Sequence, residues 1–192
     1  AILVFNLLMK SKGVHSVRYR IKDAEHLIEK IIRKKIEFPD SNINIDNYKT
    51  EIKDLIGLRA LHLFKDDWEK IDDYIKDKLV VKGTPTANYR KGDTDEIIEF
   101  FKAKGCEVKE HKYGYRSVHY IIEMQPAKNK HFAEIQVRTI FEEAWSEIDH
   151  TIRYPYDLEN PIFSQFLLIL NRLSGSADEM GTFIKYLQRA LN

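Results

Sequence analysis

Apolar residues recur every three or four positions between Lys22 and Ile36, a spacing typical of an amphipathic helix. Asp23 stands at the start of this stretch, where it predicts an N-cap. The nine residues that open the chain are almost all apolar but too few to cross a bilayer, so they predict a helix or strand packed on the core. The apolar positions of the amphipathic helix are Ala24, Leu27, Ile28, Ile31, Ile32 and Ile36.

The middle of the chain alternates between strand-like and helix-like segments. Residues 54–64 are mostly apolar and bounded by charge, as in a buried strand. Asp66 and Glu69 then predict a capping box at the start of a helix. Residues 83–93 carry two glycines and a proline and predict a loop. The remaining predictions are a helix from Thr94 to Gly105 and strands over residues 106–110, 115–124 and 131–138.

The C-terminal part of the chain predicts three helices. Thr139 and Glu142 form a capping-box pattern for the first, Pro161 opens the second, and Gly175 is expected to end it before a last helix. This order of elements predicts an α+β fold, in which a mixed sheet of about five strands is flanked by helices and followed by C-terminal helices.

Composition narrows the possible functions. A chain of 192 residues, with 43% hydrophobic and 32% charged residues, is expected to form one soluble globular domain with or without a helical appendage. The net charge of +1 gives no reason to expect a nucleic-acid or membrane surface, so phosphate chemistry would need local clusters of charge. The single cysteine, Cys106, excludes an intrachain disulfide and fits a reducing, cytoplasmic location. Because the chain begins at Ala1 and not at Met, we keep open that it is part of a longer protein.

Strand geometry separates apolar from polar side chains, because successive residues point to opposite faces of a sheet. Within residues 131–138, one face holds Ala133, Ile135 and Val137, and the other holds Phe132, Glu134, Gln136 and Arg138. The same rule puts Tyr115, Ser117 and His119 on one face of the preceding strand. If the two strands pair, a tyrosine, a histidine, a glutamate and an arginine share one surface.

Two acidic residues are candidates for a metal site. Asp54 begins an apolar strand, where a carboxylate contributes nothing to a core, although solvation at the strand end explains it equally well when it is considered alone. Together, Asp54 and Glu134 would suit Mg²⁺, which prefers oxygen ligands and is completed by water and substrate phosphates.

Basic residues cluster near the first predicted helix. Lys22, His26 and Lys30 are four residues apart and so lie on one face, near the positive end of the helix dipole, with Arg20 just before them. Such a face is often merely solvated. Beside a metal pair, however, it would form a cradle for a triphosphate.

The sequence HKYGYRSVHY, at residues 111–120, contains three tyrosines around a glycine. Tyrosine is a common packing residue in strands. Tyr115, which follows Gly114 on the polar face, could instead stack on a nucleobase.

Four segments resemble one known family when they are read together. YRIKDAEHLIEK, DLIGLR, KYGYRSVHY and AEIQVRT, in this order, are similar to the synthetase domain of the RelA/SpoT family, over roughly residues 18–155. The resemblance implies a nucleotidyltransferase-like fold in residues 1–155, with residues 156–192 as a C-terminal helical extension that packs on it or mediates oligomerisation. It also implies the synthesis of the alarmones ppGpp and pppGpp, by transfer of pyrophosphate from ATP to the 3′-hydroxyl of GDP or GTP with release of AMP.

The resemblance assigns roles to individual residues. Asp54 and Glu134 would bind Mg²⁺, and Glu134 would also accept the proton of the attacking hydroxyl. Tyr115 would stack on guanine. The ATP phosphates would be held by Arg20, Lys22, Lys30 and Arg59, and the acceptor nucleotide by Tyr115, His119, Gln136, Arg138 and Lys112.

Some positions depart from the family pattern. His26 stands where the family usually has serine, and the charged loop that helps to select GDP or GTP is not recognisable in residues 82–111. Asp149 and His150 are reminiscent of a hydrolase dipeptide, but they follow the synthetase motifs, and we expect them to be structural.

Other functions remain open from the sequence. A toxin-like relative would pyrophosphorylate adenosine nucleotides or the 3′ end of tRNA, for which Lys102, Lys104, Lys109 and Lys112 could supply a basic patch. A catalytically silent nucleotide sensor is the third possibility, although the presence of Asp54 and Glu134 argues against it. Apolar residues of the C-terminal helices, such as Phe166, Leu167, Ile169 and Leu170, would be buried either within the chain or in a homodimer or homotetramer.

Overall fold

The computed structural model describes residues 1–153 and 160–191. In this part of the chain, a seven-stranded mixed sheet is flanked by helices, which confirms the α+β class. The strands are β1 (Ser16–Ile21), β2 (Ile56–His62), β3 (Val80–Val81), β4 (Thr86–Tyr89), β5 (Glu107–Glu110), β6 (Ser117–Met124) and β7 (His131–Thr139). The helices are α1 (Ile2–Leu8), α2 (Ala24–Glu37), α3 (Tyr48–Glu51), α4 (Asp67–Lys78), α5 (Asp95–Ala103), α6 (Ile140–Arg153) and α7 (Pro161–Leu191).

Strand β7 lies at the centre of the sheet. The strand order is β1-β2-β7-β6-β4-β5, and β3 pairs with β6 beyond the end of β4. Strands β2 and β7 are parallel, as are β4 and β5, while the other pairs are antiparallel. Strands β6 and β7, whose pairing was expected to give a shared polar face, are neighbours near the centre of the sheet.

The predicted alternation of β7 is confirmed. Ala133, Ile135 and Val137 are at most 1% exposed and belong to the main hydrophobic core. On the same side, β6 contributes Val118, Tyr120 and Ile122, and α4 covers them with Trp68, Ile71 and Ile75. The opposite face of β7 is therefore left to Glu134, Gln136 and Arg138.

Helix starts agree with the sequence only in part. Asp23 caps α2 as predicted, since its side chain accepts a hydrogen bond from the backbone N–H of His26 at 3.0 Å. The capping box predicted at Asp66 is wrong: the Asp66 carboxylate makes no cap hydrogen bond and pairs with Lys185 at 2.7 Å. A charged partner from α7 competes successfully with the helix N-terminus for this carboxylate.

The sheet has more strands than the five or so expected. Strand β4 lies within the segment predicted to be a loop, and β3 has only two residues. Strand β1 lies on an edge of the sheet and was not predicted, although Val17, Tyr19 and Ile21 alternate with Ser16, Arg18 and Arg20. Strands β3 and β4, with two and four residues, are too short for alternation to identify them from the sequence.

The prediction that Gly175 ends a helix is wrong. Helix α7 runs unbroken for 31 residues from Pro161 to Leu191. A Cβ at Gly175 would lie 2.7 Å from an Nη atom of Arg116 and 3.3 Å from one of Arg90. Glycine is therefore accommodated here because two guanidinium groups approach the helix closely, and not because the backbone turns.

Helix α7 packs along the body of the domain. The Trp145 indole N–H donates to the Leu167 carbonyl at 2.9 Å, and the Asn171 amide donates to the Gly114 carbonyl at 3.0 Å. The predicted domain boundary at residues 155 and 156 lies outside the described residues. Among the described helices, none combines the length and the apolar character needed to span a membrane.

Candidate active site

An open cavity of about 310 Å³ lies on the polar face of β1, β2 and β7. Two rows of paired residues cross the sheet beneath it. In the first row, Arg20 is opposite Gly57, which is opposite Glu134. In the second, Arg18, Arg59, Gln136 and His119 follow one another across four strands. The lining residues are Arg18, Tyr19, Arg20, Asp54, Gly57, Leu58, Arg59, Glu134, Gln136, Glu147 and His150.

Gly57 makes room between the first row's charged residues. A Cβ at this position would lie 3.5 Å from the Cγ and Nε atoms of Arg20. Because glycine has no side chain, the floor of the cavity between Arg20 and Glu134 is formed by backbone. A ligand can therefore approach the sheet closely at this point.

Asp54 is held by two lysines at the edge of the cavity. Its Oδ2 atom lies 2.6 Å from Lys30 Nζ and 3.2 Å from Lys22 Nζ. Burial alone would raise the pKa of Asp54, but the hydrogen bond and charge of Lys30, with those of Lys22, hold it below its ordinary value. Asp54 is consequently ionised at neutral pH.

Glu134 is positioned by two neighbours on the sheet. Its Oε1 atom lies 3.2 Å from His119 Nδ1, and its Oε2 atom accepts a hydrogen bond from the Gln136 amide at 2.8 Å. Burial raises the pKa of Glu134, but the contacts with His119 and Gln136 outweigh it and leave the pKa below the usual value. The charge of Asp54 acts in the opposite direction on the same group, so the two carboxylates interact electrostatically.

These two carboxylates fit a magnesium site. The Asp54 Oδ1 atom is buried and finds no hydrogen-bond donor among the described residues, which is the condition expected of an oxygen that serves as a metal ligand. Within residues 1–153 and 160–191, no group of three or more His, Cys, Asp or Glu side chains gathers around one point. Mg²⁺ suits such a sparse site, because it is commonly bound by one or two carboxylates together with waters and phosphates.

The predicted phosphate-binding residues fall into two sets. Lys22 and Lys30 extend from the end of β1 and from α2 to Asp54 and thus lie beside the proposed metal position. Arg59 lies on the cavity wall, where it donates to Glu143 at 3.0 Å and also pairs with Glu147. Burial would lower the pKa of Arg59, but these two glutamates hold it above its ordinary value.

The predicted acceptor residues, apart from Lys112, form a connected cluster beside Glu134. The Tyr115 hydroxyl is 3.1 Å from His119 Nε2 and donates weakly to Gln136 at 3.4 Å. The Arg138 guanidinium lies over the Tyr115 ring, 5.2 Å from its centroid. Burial raises the pKa of Tyr115, so this phenol stays neutral.

Lys112 is separate from this cluster. Its side chain is exposed, and its Nζ atom lies 5.1 Å from the ring centroid of the neighbouring Tyr113. Of the predicted acceptor residues, Gln136 lines the active-site cavity, whereas Tyr115, His119, Arg138 and Lys112 do not.

Glu143 is the main residue of the site that sequence reasoning missed. It is buried on α6 and pairs with Arg59, with Arg138 and, at 3.8 Å, with Arg18. Glu147, one turn later, also reaches Arg59. The spacing of four residues on a helix that directly follows β7 was a usable signal, because such positions lie on one face of the helix.

His26 and the Asp149–His150 pair have different environments. His26 contacts Asp23 through its ring Nδ1 atom at 2.6 Å at the exposed start of α2. Asp149 pairs with Arg153 at 2.7 Å, whereas His150 lines the cavity. The position of His150 was not expected from the sequence.

Comparison with known proteins identifies the family to which the chain belongs. Residues 19–159 match the family model described as a region found in RelA / SpoT proteins. A curated relative, GTP pyrophosphokinase YwaC of Bacillus subtilis, is 26% identical over 161 residues; the match covers 82% of this chain and 66% of that protein, so the chain spans slightly less than two thirds of its length.

Two solved structures share the fold at low sequence identity. A GTP pyrophosphokinase family protein from Streptococcus pneumoniae is 22% identical with a TM-score of 0.72, and the match covers 98% of this chain and 87% of that one. Small alarmone synthetase 1 of Bacillus subtilis, bound to its product pppGpp, is 20% identical with a TM-score of 0.64, covering 98% and 86% of the respective chains. Since the family match extends over most of the sequence, the chain belongs to the RelA/SpoT family.

Proposed function

We propose that this protein is a GTP pyrophosphokinase that transfers the β,γ-pyrophosphate of ATP to the 3′-hydroxyl of GDP or GTP. The products are ppGpp or pppGpp, and AMP. The observation that carries the proposal is the pair of carboxylates at one cavity: Asp54, with a buried unpaired oxygen, and Glu134, which is ionised and positioned by His119 and Gln136. The name of the curated relative and the pppGpp-bound structure support the choice of nucleotides.

The proposed reaction is an in-line displacement at the β-phosphorus. The acceptor 3′-oxygen attacks this phosphorus, and the bond to the oxygen that bridges the α- and β-phosphates breaks, so that AMP leaves with that oxygen. The hydroxyl proton passes to a carboxylate oxygen of Glu134. Because the pKa of Glu134 lies below its usual value, the base is ionised before the acceptor arrives, and the hydrogen bond from Gln136 fixes its orientation.

Charge compensation is the second requirement. Mg²⁺ held by Asp54 and Glu134 would neutralise the phosphates and align them. Lys22 and Lys30, which bind Asp54 in the substrate-free chain, lie close enough to the same position to move to phosphate oxygens when ATP binds. Arg20 faces Glu134 across Gly57 and would hold the transferred group on the other side.

Tyr115 is the proposed guanine platform. Its ring lies in the connected cluster with His119, Gln136 and Arg138, next to the proposed base. A purine stacked on this ring would place its ribose toward Glu134, and stacking on an aromatic ring contributes about 1–3 kcal/mol per base.

A transfer assay with a matched control tests this proposal. The protein is incubated with Mg²⁺ and γ-labelled ATP and, in turn, with GDP, GTP, AMP, ADP and deacylated tRNA. We expect label on GDP or GTP, loss of transfer in Glu134→Gln with an unchanged circular dichroism spectrum, and normal transfer in Glu107→Gln, whose carboxylate is exposed on the edge strand β5. Label on adenosine nucleotides or tRNA would identify the toxin-like activity instead. Nucleotide binding without transfer would identify a sensor.

We further propose that the chain self-associates through α7. Exposed apolar side chains recur along this helix at spacings of three and four, and Phe166 and Ile169 are 68% and 52% exposed, whereas the neighbouring Leu167 is buried within the chain. A second copy of the same helix is the simplest partner for such a stripe. The exposed members of the stripe are Ile162, Phe166, Ile169, Leu173, Met180, Ile184, Leu187 and Leu191.

Light scattering after size exclusion tests self-association. The wild-type protein should elute as a dimer or tetramer, and the double substitution Phe166→Glu with Ile169→Glu should give a monomer. Arg189→Glu makes the same change of two charge units at an exposed position on the other side of α7 from the stripe and should leave the mass unchanged. A monomeric wild type would reject the proposal.

A further inference from the structure

Two lysines cover the first of the two proposed metal-binding carboxylates. The Asp54 Oδ2 atom lies 2.6 Å from Lys30 Nζ and 3.2 Å from Lys22 Nζ, and the side chains of all three residues are at most 22% exposed. The other carboxylate oxygen, Oδ1, is buried. A cation therefore reaches neither oxygen of Asp54 while both lysines stay in place.

The charges around Asp54 also oppose a free divalent cation. Two ammonium groups face one carboxylate, so this group of three side chains carries an excess of positive charge. Because the three groups are largely sheltered from water, their repulsion of Mg²⁺ is screened less than it would be at an open surface. An ion that binds by itself would also leave the two displaced lysines without an anionic partner.

A polyphosphate removes this obstacle. Phosphate oxygens accept charge-assisted hydrogen bonds from ammonium groups, so a nucleoside triphosphate offers Lys22 and Lys30 new partners while the ion takes Asp54. After the exchange, the lysines contact phosphate, and the ion contacts both phosphate and carboxylate. The ion and the nucleotide should therefore strengthen each other's binding, and such coupling is reciprocal.

The two lysines differ in how firmly the chain holds them. The Lys22 backbone N–H donates to the Leu55 carbonyl at 2.9 Å, which keeps the Lys22 backbone beside Asp54. Lys30 lies on α2, and none of the 14 residues of this helix is buried. A segment with few buried contacts moves at a low cost in free energy, so Lys30 is the lysine that withdraws more readily.

We propose that Lys22 and Lys30 determine the form in which the site accepts its divalent ion. They exclude the free ion from Asp54 and admit it only together with a polyphosphate, which draws the ammonium groups away. This inference rests on the proposed function, since it takes Asp54 as a metal ligand and ATP as the donor. The substrate-free protein accordingly holds a divalent ion only weakly.

Mn²⁺ titration without nucleotide, followed by electron paramagnetic resonance, tests the exclusion. Lys30→Gln should bind Mn²⁺ at least about tenfold more tightly than wild type, because one of the two repelling charges is removed. The gain should disappear when Asp54→Asn is added to Lys30→Gln. Lys35→Gln removes the same charge at an exposed position on another face of α2 and should bind Mn²⁺ like wild type.

A second measurement should change in the opposite direction. In calorimetric titration at saturating Mg²⁺, Lys30→Gln should bind a non-hydrolysable ATP analogue about tenfold more weakly than wild type, because one charge-assisted contact with phosphate is lost. A lysine that only stabilised the fold would not produce a gain in affinity for the free ion together with a loss in affinity for the nucleotide.

Several outcomes would overturn the inference. One is equal or weaker Mn²⁺ binding by Lys30→Gln without nucleotide, including no detectable binding by either protein. Another is nucleotide-free wild type that binds Mn²⁺ as tightly as it does with the ATP analogue. If Lys30→Gln does not fold, as judged by circular dichroism, Lys22→Gln provides the same comparison, and failure of both to fold would show that the lysines serve the fold instead.

Failure of the proposed function would be distinguishable from failure of this inference. Label transfer from ATP to GDP or GTP by the wild type is measured in a separate assay. An active wild type with unchanged Mn²⁺ binding in Lys30→Gln would reject only the exclusion of the free ion. An inactive wild type would reject the proposed function, whatever the Mn²⁺ titration showed.

Discussion

Glu142 should make the stability of this protein fall as the pH rises through neutrality. Its carboxyl group is 2% exposed, and burial raises its pKa from 4.5 to about 7. The folded state therefore holds a proton that the unfolded chain has already released. For a carboxyl whose folded-state pKa is raised, the stabilising contribution is complete below pH 4.5 and is lost as the pH rises through 7.

The size of the effect follows from the shift. One pKa unit corresponds to about 1.4 kcal/mol, so the 2.5 units between 4.5 and 7 correspond to about 3 kcal/mol. Glu142→Gln keeps the shape of the neutral acid and removes the titration. The free energy of unfolding of the variant, relative to wild type, should thus increase by about 3 kcal/mol between pH 4.5 and pH 8.

Urea denaturation followed by far-ultraviolet circular dichroism measures this difference. With urea slopes of about 1–3 kcal/mol/M, the difference in urea midpoint between the variant and wild type should increase by at least about 1 M, in favour of the variant, between pH 4.5 and pH 8. Glu179→Gln serves as the control, since that carboxylate is largely exposed, and it should follow wild type at both pH values. The reasoning would be refuted if the free energy of unfolding changed equally with pH in Glu142→Gln and wild type. It would also be refuted if wild type became more stable relative to the variant as the pH rose.

Three further predictions follow from single contacts. Gly175→Ala should lower the free energy of unfolding by about 2 kcal/mol in urea denaturation, because the added Cβ would displace Arg116 from its buried ion pairs. In the same helix, an added Cβ at Gly181 meets no atom within 4 Å, so Gly181→Ala should raise the free energy of unfolding by up to about 1 kcal/mol. Equal effects of the two substitutions would contradict the packing at Gly175. Tyr115→Ala should raise the KM for GDP or GTP about tenfold or more in steady-state kinetics, since stacking contributes about 1–3 kcal/mol per base. The KM for ATP should be nearly unchanged. A selective rise in the KM for ATP would show that the two nucleotide sites are reversed. Lys30→Gln should weaken ATP binding in calorimetry more at low than at high salt, because a charge near the phosphates is removed. Lys35→Gln, at an exposed position of α2 that does not share a face with Lys30, should change it little.

The polar face of the sheet was predictable because strand geometry is strictly periodic. Alternation along β7 separates Glu134 and Gln136 from Ile135 and Val137 without any knowledge of the fold, and the structure confirms this separation. The pairing of β6 with β7, which brings His119 to Glu134, was a condition of the predicted shared surface, and the structure shows that the two strands pair. Local periodicity was therefore sufficient to predict which β7 side chains face the candidate site.

What the sequence did not reveal depends on contacts between distant segments. The sequence around Gly175 predicts a helix end. In the structure, the missing side chain of Gly175 leaves space for the Arg116 and Arg90 guanidinium groups, and this depends on where α7 packs. The sequence predicts that Asp66 caps a helix, but its carboxylate instead accepts a hydrogen bond from Lys185, which lies almost 120 residues away in the chain. In the sequence, Glu143 is one of several charged residues on an amphipathic helix. In the structure, it forms ion pairs with three arginines from different strands.

The central claim is that Asp54 and Glu134 bind a single divalent ion, and Mn²⁺ titration followed by electron paramagnetic resonance in the presence of a non-hydrolysable ATP analogue tests it most directly. The account predicts one tightly bound Mn²⁺ per wild-type chain and loss of that ion in both Asp54→Asn and Glu134→Gln, with folding unchanged. Retention of the ion at wild-type affinity in either variant would contradict it.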